Sequence, residues 1–266
     1  MTRIFLTLLA LIGGLSAPVL AQSDDSILRA ELRPGWRLAD GDHMAALHLT
    51  MAPGWKTYWR APGDAGIPPL FDWSGSRNAK TVAVSWPTPE VFFQSGMRSV
   101  GYSPEVVLPL RISTRGSGQD VRLRGQVQLG VCKDICVPKT LRLDAVLPAA
   151  QTKVDPVIAA ALASVPFSAT EAAVRSVRCT IGAKDGAMTL RAEIDMPARG
   201  AMDAVIETAN PEVWVAEPKT TQSGGRIVAE TRMMHVDGGA FALDRSGVRI
   251  TLLGKGQAVD IRGCDK

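Results

Sequence analysis

Two cysteines, Cys132 and Cys136, stand three residues apart in the run Gly130-Val131-Cys132-Lys133-Asp134-Ile135-Cys136-Val137-Pro138. A tight turn across that interval brings the two Cα atoms within the roughly 7 Å that a disulfide needs. Closing so short a loop removes little entropy from the unfolded chain, so the bond is a poor staple. Disulfides that stabilise little tend to be the exchangeable ones. Lys133 offers a positive charge that favours a thiolate, while Asp134 opposes it. On residue chemistry alone, a redox pair and an inert bridge both stay open.

The other two cysteines, Cys179 and Cys264, are separated by most of a domain. Paired, they would staple the C-terminal part of the chain, stabilising it by about 3–4 kcal/mol for so long a loop. Metal binding is the competing use of the close pair. Two thiolates with a histidine or methionine would suit Cu(I), but His43, His48 and His235 have no ligand spacing to one another. His43 and His48 are five apart in or beside a strand, which puts them on opposite sides of it. Met97 and the pair Met233-Met234 are the candidate thioethers, though methionine is more often a core filler. A zinc site wants four ligands and C-x3-C supplies two, so no metal is assigned. No catalytic triad order, phosphate loop or haem motif is present.

Nine aromatic residues lie between positions 55 and 102: Trp55, Tyr58, Trp59, Phe71, Trp73, Trp86, Phe92, Phe93 and Tyr102. Most read as core and sheet-face packing. Phe92-Phe93 differs, lying between Pro89 and Gly96 without an alternating pattern, which reads as an aromatic loop able to shield a reactive group.

The elements around these residues are short strands. Ala45–Met51, Thr81–Ser85, Val106–Ile112, Val121–Val131 and Leu141–Leu147 are alternating or β-branched, with Pro53-Gly54, Pro62-Gly63, Gly75 and Gly116-Ser117-Gly118 between them. Such a pattern predicts an antiparallel sandwich, and the lack of βαβ alternation counts against a thioredoxin-type or nucleotide-binding sheet. Asp155–Ser164 has helix-forming composition, with Pro156 at the first turn and Pro166 as a stop, and reads as a linker helix. Val174–Ile181, Ala187–Asp195, Ala204–Thr208, Arg226–Met234 and Val248–Leu253 then predict further strands.

The fold class is therefore all-β, with two immunoglobulin-like sandwiches joined by a short helix. The expected divisions are 22–150 for the first sandwich with the cysteine pair, 151–168 for the linker, and 169–266 for the second. At the N-terminus, Arg3, the apolar run Ile4–Leu15 and the small or aliphatic residues before Gln22 describe a signal peptide cleaved after Ala21. Export makes disulfides the ordinary fate of cysteines. A net charge of +4 with mixed signs along the chain is too mild to argue for nucleic acid, and no later stretch has the length and apolarity of a membrane span.

The stretch Pro53–Trp73 (PGWKTYWRAPGDAGIPPLFDW), followed by Trp86-Pro87, Gly101-Tyr102 and Val131–Pro138, resembles the N-terminal periplasmic domain of the thiol:disulfide interchange protein DsbD. It is closer still to the variant in the copper-sensitivity suppressor ScsB. The similarity covers about Ile27 to Leu147. It implies an immunoglobulin-like sandwich whose cysteine pair shuttles electrons without a cofactor. Its partners would be periplasmic thioredoxin-fold proteins and a membrane electron donor. By the same resemblance Cys136 forms the mixed disulfide, Cys132 resolves it, and Glu90, Phe92 and Phe93 belong to a cap loop over the sulfurs. The sequence holds no counterpart of DsbD's membrane or thioredoxin domains, so the expectation is either that a separate protein supplies the electrons or that the chain does something narrower. The alternatives are a Cu(I)-binding copper-tolerance module and a redox-inert interaction domain.

Overall fold

The computed structural model describes residues 26–265 apart from 65, 95 and 117; the expected signal peptide, 1–21, lies outside the described residues. Ten strands build the first sandwich: β1 (Leu28–Arg37), β2 (His43–Met51), β3 (Lys56–Tyr58), β4 (Leu70–Asp72), β5 (Ala79–Val84), β6 (Glu90–Gln94), β7 (Met97–Tyr102), β8 (Glu105–Thr114), β9 (Val121–Cys132) and β10 (Cys136–Leu147). One sheet has the order β1-β2-β8-β5, and the other β10-β9-β3-β7-β6, with β4 also pairing β9. All of these pairings are antiparallel.

The core forms where the alternating faces meet. Leu47, Leu49, Leu108, Leu110 and Ile112 of the first sheet pack against Val100, Leu123, Val127, Leu129 and Val131 of the second, with Trp59 fully buried among them. Burying a side chain of this size contributes about 1.5–3 kcal/mol. Strand β1 runs through Pro34-Gly35 by means of an irregularity between Arg33 and Trp36. Gly35 has φ +63°, and a Cβ there would stand 1.9 Å from the Met44 carbonyl oxygen, so only glycine fits.

Helix α1 (Pro156–Ala163) starts on Asp155, whose side chain accepts from the Val157 and Ile158 amides. The segment expected as a linker is packed onto the first sandwich. Ile158 is buried with Trp36, Met44 and Ala46 on the outer face of the first sheet, and Arg33 donates twice to Asp155 Oδ2.

The second sandwich comprises β11 (Phe167–Ser168), β12 (Ser176–Lys184), β13 (Ala187–Asp195), β14 (Met202–Glu207), β15 (Val213–Val215), β16 (Lys219–Ser223), β17 (Arg226–His235), β18 (Arg249–Gly254) and β19 (Gln257–Arg262). Its sheets are β11-β19-β18-β14 and β12-β13-β17-β15, with β16 also on β17. Cys179 on β12 is bonded to Cys264 just beyond β19, which ties one sheet to the other.

The two sandwiches touch through more than their linker. Val205, Leu253 and Ala258 of the second join the core cluster of the first. Arg60 stacks on the Trp59 ring at 3.8 Å and reaches across to Glu207 (3.1 and 3.0 Å) and Thr251 Oγ1 (3.1 Å). Arg98 of β7 meets Glu217 at 3.5 Å.

Candidate redox site

Strands β9 and β10 are one hairpin whose last paired residues are Cys132 and Cys136. Three residues make the turn, closed by the Lys133 amide donating to the Ile135 carbonyl at 3.1 Å. The two cysteines are bonded to each other, with Cα atoms 4.2 Å apart, the separation of a directly opposed antiparallel pair. Their exposure differs sharply. Cys132 is 2% exposed, whereas Cys136 lies on the exposed side of the turn.

Strand β3 supplies the floor. Lys56 pairs with Cys132 and Thr57 with Val131. Residues of even number on β3 and β9 face away from the core, so Lys56, Tyr58, Cys132 and Gly130 share one face. The Tyr58 hydroxyl donates to Cys132 Sγ at 2.9 Å and lies 3.3 Å from Cys136 Sγ. Burial raises the Tyr58 pKa, which keeps the hydroxyl protonated as a donor. Its ring occupies space that two glycines leave. A Cβ on Gly130 would stand 2.9 Å from Ile67 Cβ and 3.2 Å from the Tyr58 ring, and one on Gly66 would meet that ring at 2.9 Å. The Thr57 hydroxyl donates to the Gly130 carbonyl at 2.9 Å and fixes the two strands together.

The segment read as an aromatic loop is a β-hairpin. Glu90–Gln94 forms β6 and pairs with β7 along its whole length. Alternation sends Glu90, Phe92 and Gln94 to one face and Val91 and Phe93 to the other. Phe92 lies under the Lys56 ammonium, 5.1 Å from its ring centre, whereas Phe93 is 72% exposed. Glu90 stands at the foot of the hairpin, opposite Gly101, and its side chain makes no hydrogen bond or ion pair among the described residues. The contact with the cysteine turn is made by Gln94, which sequence reasoning missed. Its amide donates to the Lys133 carbonyl at 2.6 Å and its oxygen accepts from Lys56 Nζ at 3.1 Å.

Tyr58 was legible only as packing. A buried tyrosine hydroxyl needs a partner, and that is the one signal that pointed to it. The histidines are distant from the sulfurs in their contacts. His43 Nε2 meets the Pro34 carbonyl at 2.7 Å, His48 meets Glu105, and His235 meets Asp237 and Glu212. Met97 is exposed and Met233 is buried in the second core. Among the described residues no group of three or more His, Cys, Asp or Glu side chains is placed to hold a metal ion.

Residues 23–148 match the family described as thiol:disulfide interchange protein DsbD, N-terminal. The structure is similar to that of the N-terminal periplasmic domain of ScsB from Proteus mirabilis. The TM-score is 0.68 at 21% identity, covering 91% of this chain and 95% of that one. The Neisseria meningitidis DsbD n-terminal domain in the reduced form overlaps 46% of this chain and 86% of its own length, at 14% identity and a TM-score of 0.29. No curated protein sequence matches the chain. Residues 23–148 thus belong to the DsbD N-terminal family, and they sit within a two-sandwich fold shared with the ScsB periplasmic domain.

Proposed function

We propose that this chain is a periplasmic thiol:disulfide interchange protein that passes electrons through the Cys132–Cys136 pair to or from partner proteins. The observation that carries the reading is the unequal exposure of two bonded cysteines at the end of one hairpin, with Cys136 an exposed residue and Cys132 buried on Tyr58. A partner thiolate attacks Cys136 Sγ, the S–S bond opens, and the electron pair stays on Cys132. In the reverse sense, Cys136 attacks a partner disulfide and Cys132 releases the partner. Thioredoxin-fold proteins are the expected partners on one side and a membrane electron donor on the other. The family match and a periplasmic structural relative support the location, and no helix among the described residues is long and apolar enough to cross a membrane. Cys179–Cys264 is assigned a structural role, because its sulfurs join the two sheets of a sandwich.

The test is a partner trap. Cys132→Ala leaves Cys136 without its resolving thiol, so mixed disulfides with periplasmic thioredoxin-fold proteins should accumulate and dissolve on reduction. Their absence, with the double variant Cys132→Ala/Cys136→Ala as the blank, would remove the proposal.

A further inference from the structure

The reaction above uses Cys132, Cys136 and Tyr58, and it leaves a buried charge on the strand beside Cys132 without a task. Lys56 is 8% exposed, and burial lowers its pKa. Among the described residues its ammonium is met only by neutral groups, the Gln94 amide oxygen at 3.1 Å and the Phe92 ring at 5.1 Å. No carboxylate pairs with it among the described residues. A long lysine stem ordinarily carries its charge out to water, as Lys133 does one residue beyond Cys132. A desolvated cation lacking a counterion is costly and calls for a reason.

The register supplies one. Lys56 of β3, Cys132 of β9 and Cys136 of β10 are consecutive partners across three strands. Opposed residues on neighbouring strands are about 5 Å apart and share a face, and a four-carbon stem spans that gap. In the oxidised protein there is no negative charge at Cys132 for the ammonium to meet. Opening the disulfide creates one.

We propose that Lys56 is the built-in counterion of the Cys132 thiolate formed when the disulfide opens. This rests on the exchange reaction proposed above. The attacking thiolate forms a new S–S bond to Cys136 Sγ while the Cys132–Cys136 bond breaks. The electron pair of that bond, with its negative charge, remains on Cys132 Sγ. One unit of charge has moved from the attacking sulfur into a buried position, where the Lys56 ammonium and the Tyr58 hydroxyl receive it. The reverse step recovers the charge as Cys132 attacks the mixed disulfide. Other titratable groups border the pair. Lys133 and Asp134 in the turn are both exposed, with the Lys133 stem lying across Gly54. Glu90 stands at the foot of the β6–β7 hairpin, and Lys139 lies further along β10. None of them shares the register position opposite Cys132.

The experiment isolates one thiol in the full chain. Cys136→Ala leaves Cys132 free, with Cys179–Cys264 intact, and the ultraviolet absorbance of its thiolate is followed against pH. The titration is repeated with Lys56→Met, Lys56→Gln or Lys56→Arg added. Both neutral variants should move the Cys132 titration up by about one pH unit, leaving about tenfold less thiolate at a given pH below it, while Lys56→Arg should stay with the parent. Unchanged titrations in the neutral variants overturn the inference, as does Lys56→Arg shifting as far as they do. No partner protein enters this measurement, so its failure is distinct from failure of the Cys132→Ala trap.

Discussion

Replacing Tyr58 by phenylalanine removes one oxygen atom that touches two sulfurs and leaves everything else in its slot. The ring stays seated against Gly66 and Gly130, so little packing is lost. What changes is the stabilisation of Cys132 as the bond opens. In the disulfide, the Tyr58 hydroxyl donates to a neutral sulfur at 2.9 Å, an interaction of about 0.5–1.5 kcal/mol at most. When a thiolate attacks Cys136, the departing Cys132 gathers negative charge, and a hydrogen bond to a charged acceptor contributes about 1.5–3 kcal/mol. The difference of about 1–1.5 kcal/mol falls on the transition state, and 1.36 kcal/mol is tenfold in rate. Tyr58→Phe should therefore slow reduction of the pair by dithiothreitol about five- to tenfold. The assay is stopped-flow reduction with the thiol in excess, with the thermal midpoint measured alongside. A rate within twofold of the parent, or a faster one, would refute the role given to the hydroxyl.

Other consequences follow from the same contacts. Gln94→Ala cuts the two hydrogen bonds between the β6–β7 hairpin and the site. At about 0.5–1.5 kcal/mol each, their loss should speed alkylation of Cys136 in the reduced protein by about threefold or more, with little change in melting temperature. Gly130→Ala forces a methyl group against Ile67 and the Tyr58 ring and should cost about 1–3 kcal/mol, read as a lower denaturant midpoint. Glu207→Gln strands the buried Arg60 guanidinium at the junction of the sandwiches, an uncompensated charge of the kind that costs about 3–5 kcal/mol, less what Asp260 at 3.8 Å recovers. Acid should weaken that same junction. Burial pushes the Asp260 carboxyl up, but Arg249, Arg60 and Arg262 together hold it below its ordinary value. A carboxylate lowered in this way adds stability above its unfolded pKa, and that stability is lost as pH falls through the folded value. Thermal midpoints should thus drop below about pH 4, and Asp260→Asn should flatten that drop.

The sandwich fold was legible where one sheet face is buried and the other is wet. Val121–Val131 and Leu141–Leu147 alternate because β9 and β10 are such strands. Strand β3 has no such pattern, since Lys56, Thr57 and Tyr58 are all buried. Its inner face meets the core, while its outer face is covered by the β6–β7 hairpin and the turn through Gly66, so period-two alternation vanishes. The doublet Phe92-Phe93 hid a strand for a related reason, with one ring half-covered by Lys56 and the other in solvent. Strand β1 was masked by Pro34-Gly35, which reads as a turn until the irregularity that absorbs it is seen. The cysteine pair itself stood out by spacing alone. Its surroundings did not, because Tyr58 meets a sulfur 74 residues away, a contact fixed by strand order and invisible to local pattern.

If the Cys132–Cys136 bond exchanges under physiological reductants, its reduction potential lies within their reach. Equilibration with glutathione, with the Cys179–Cys264 bond followed separately by mass mapping, should give a value between about −120 and −270 mV, the range of exchange proteins. A value below about −300 mV, where structural disulfides lie, would mean that the bond does not exchange and would make the first sandwich a scaffold.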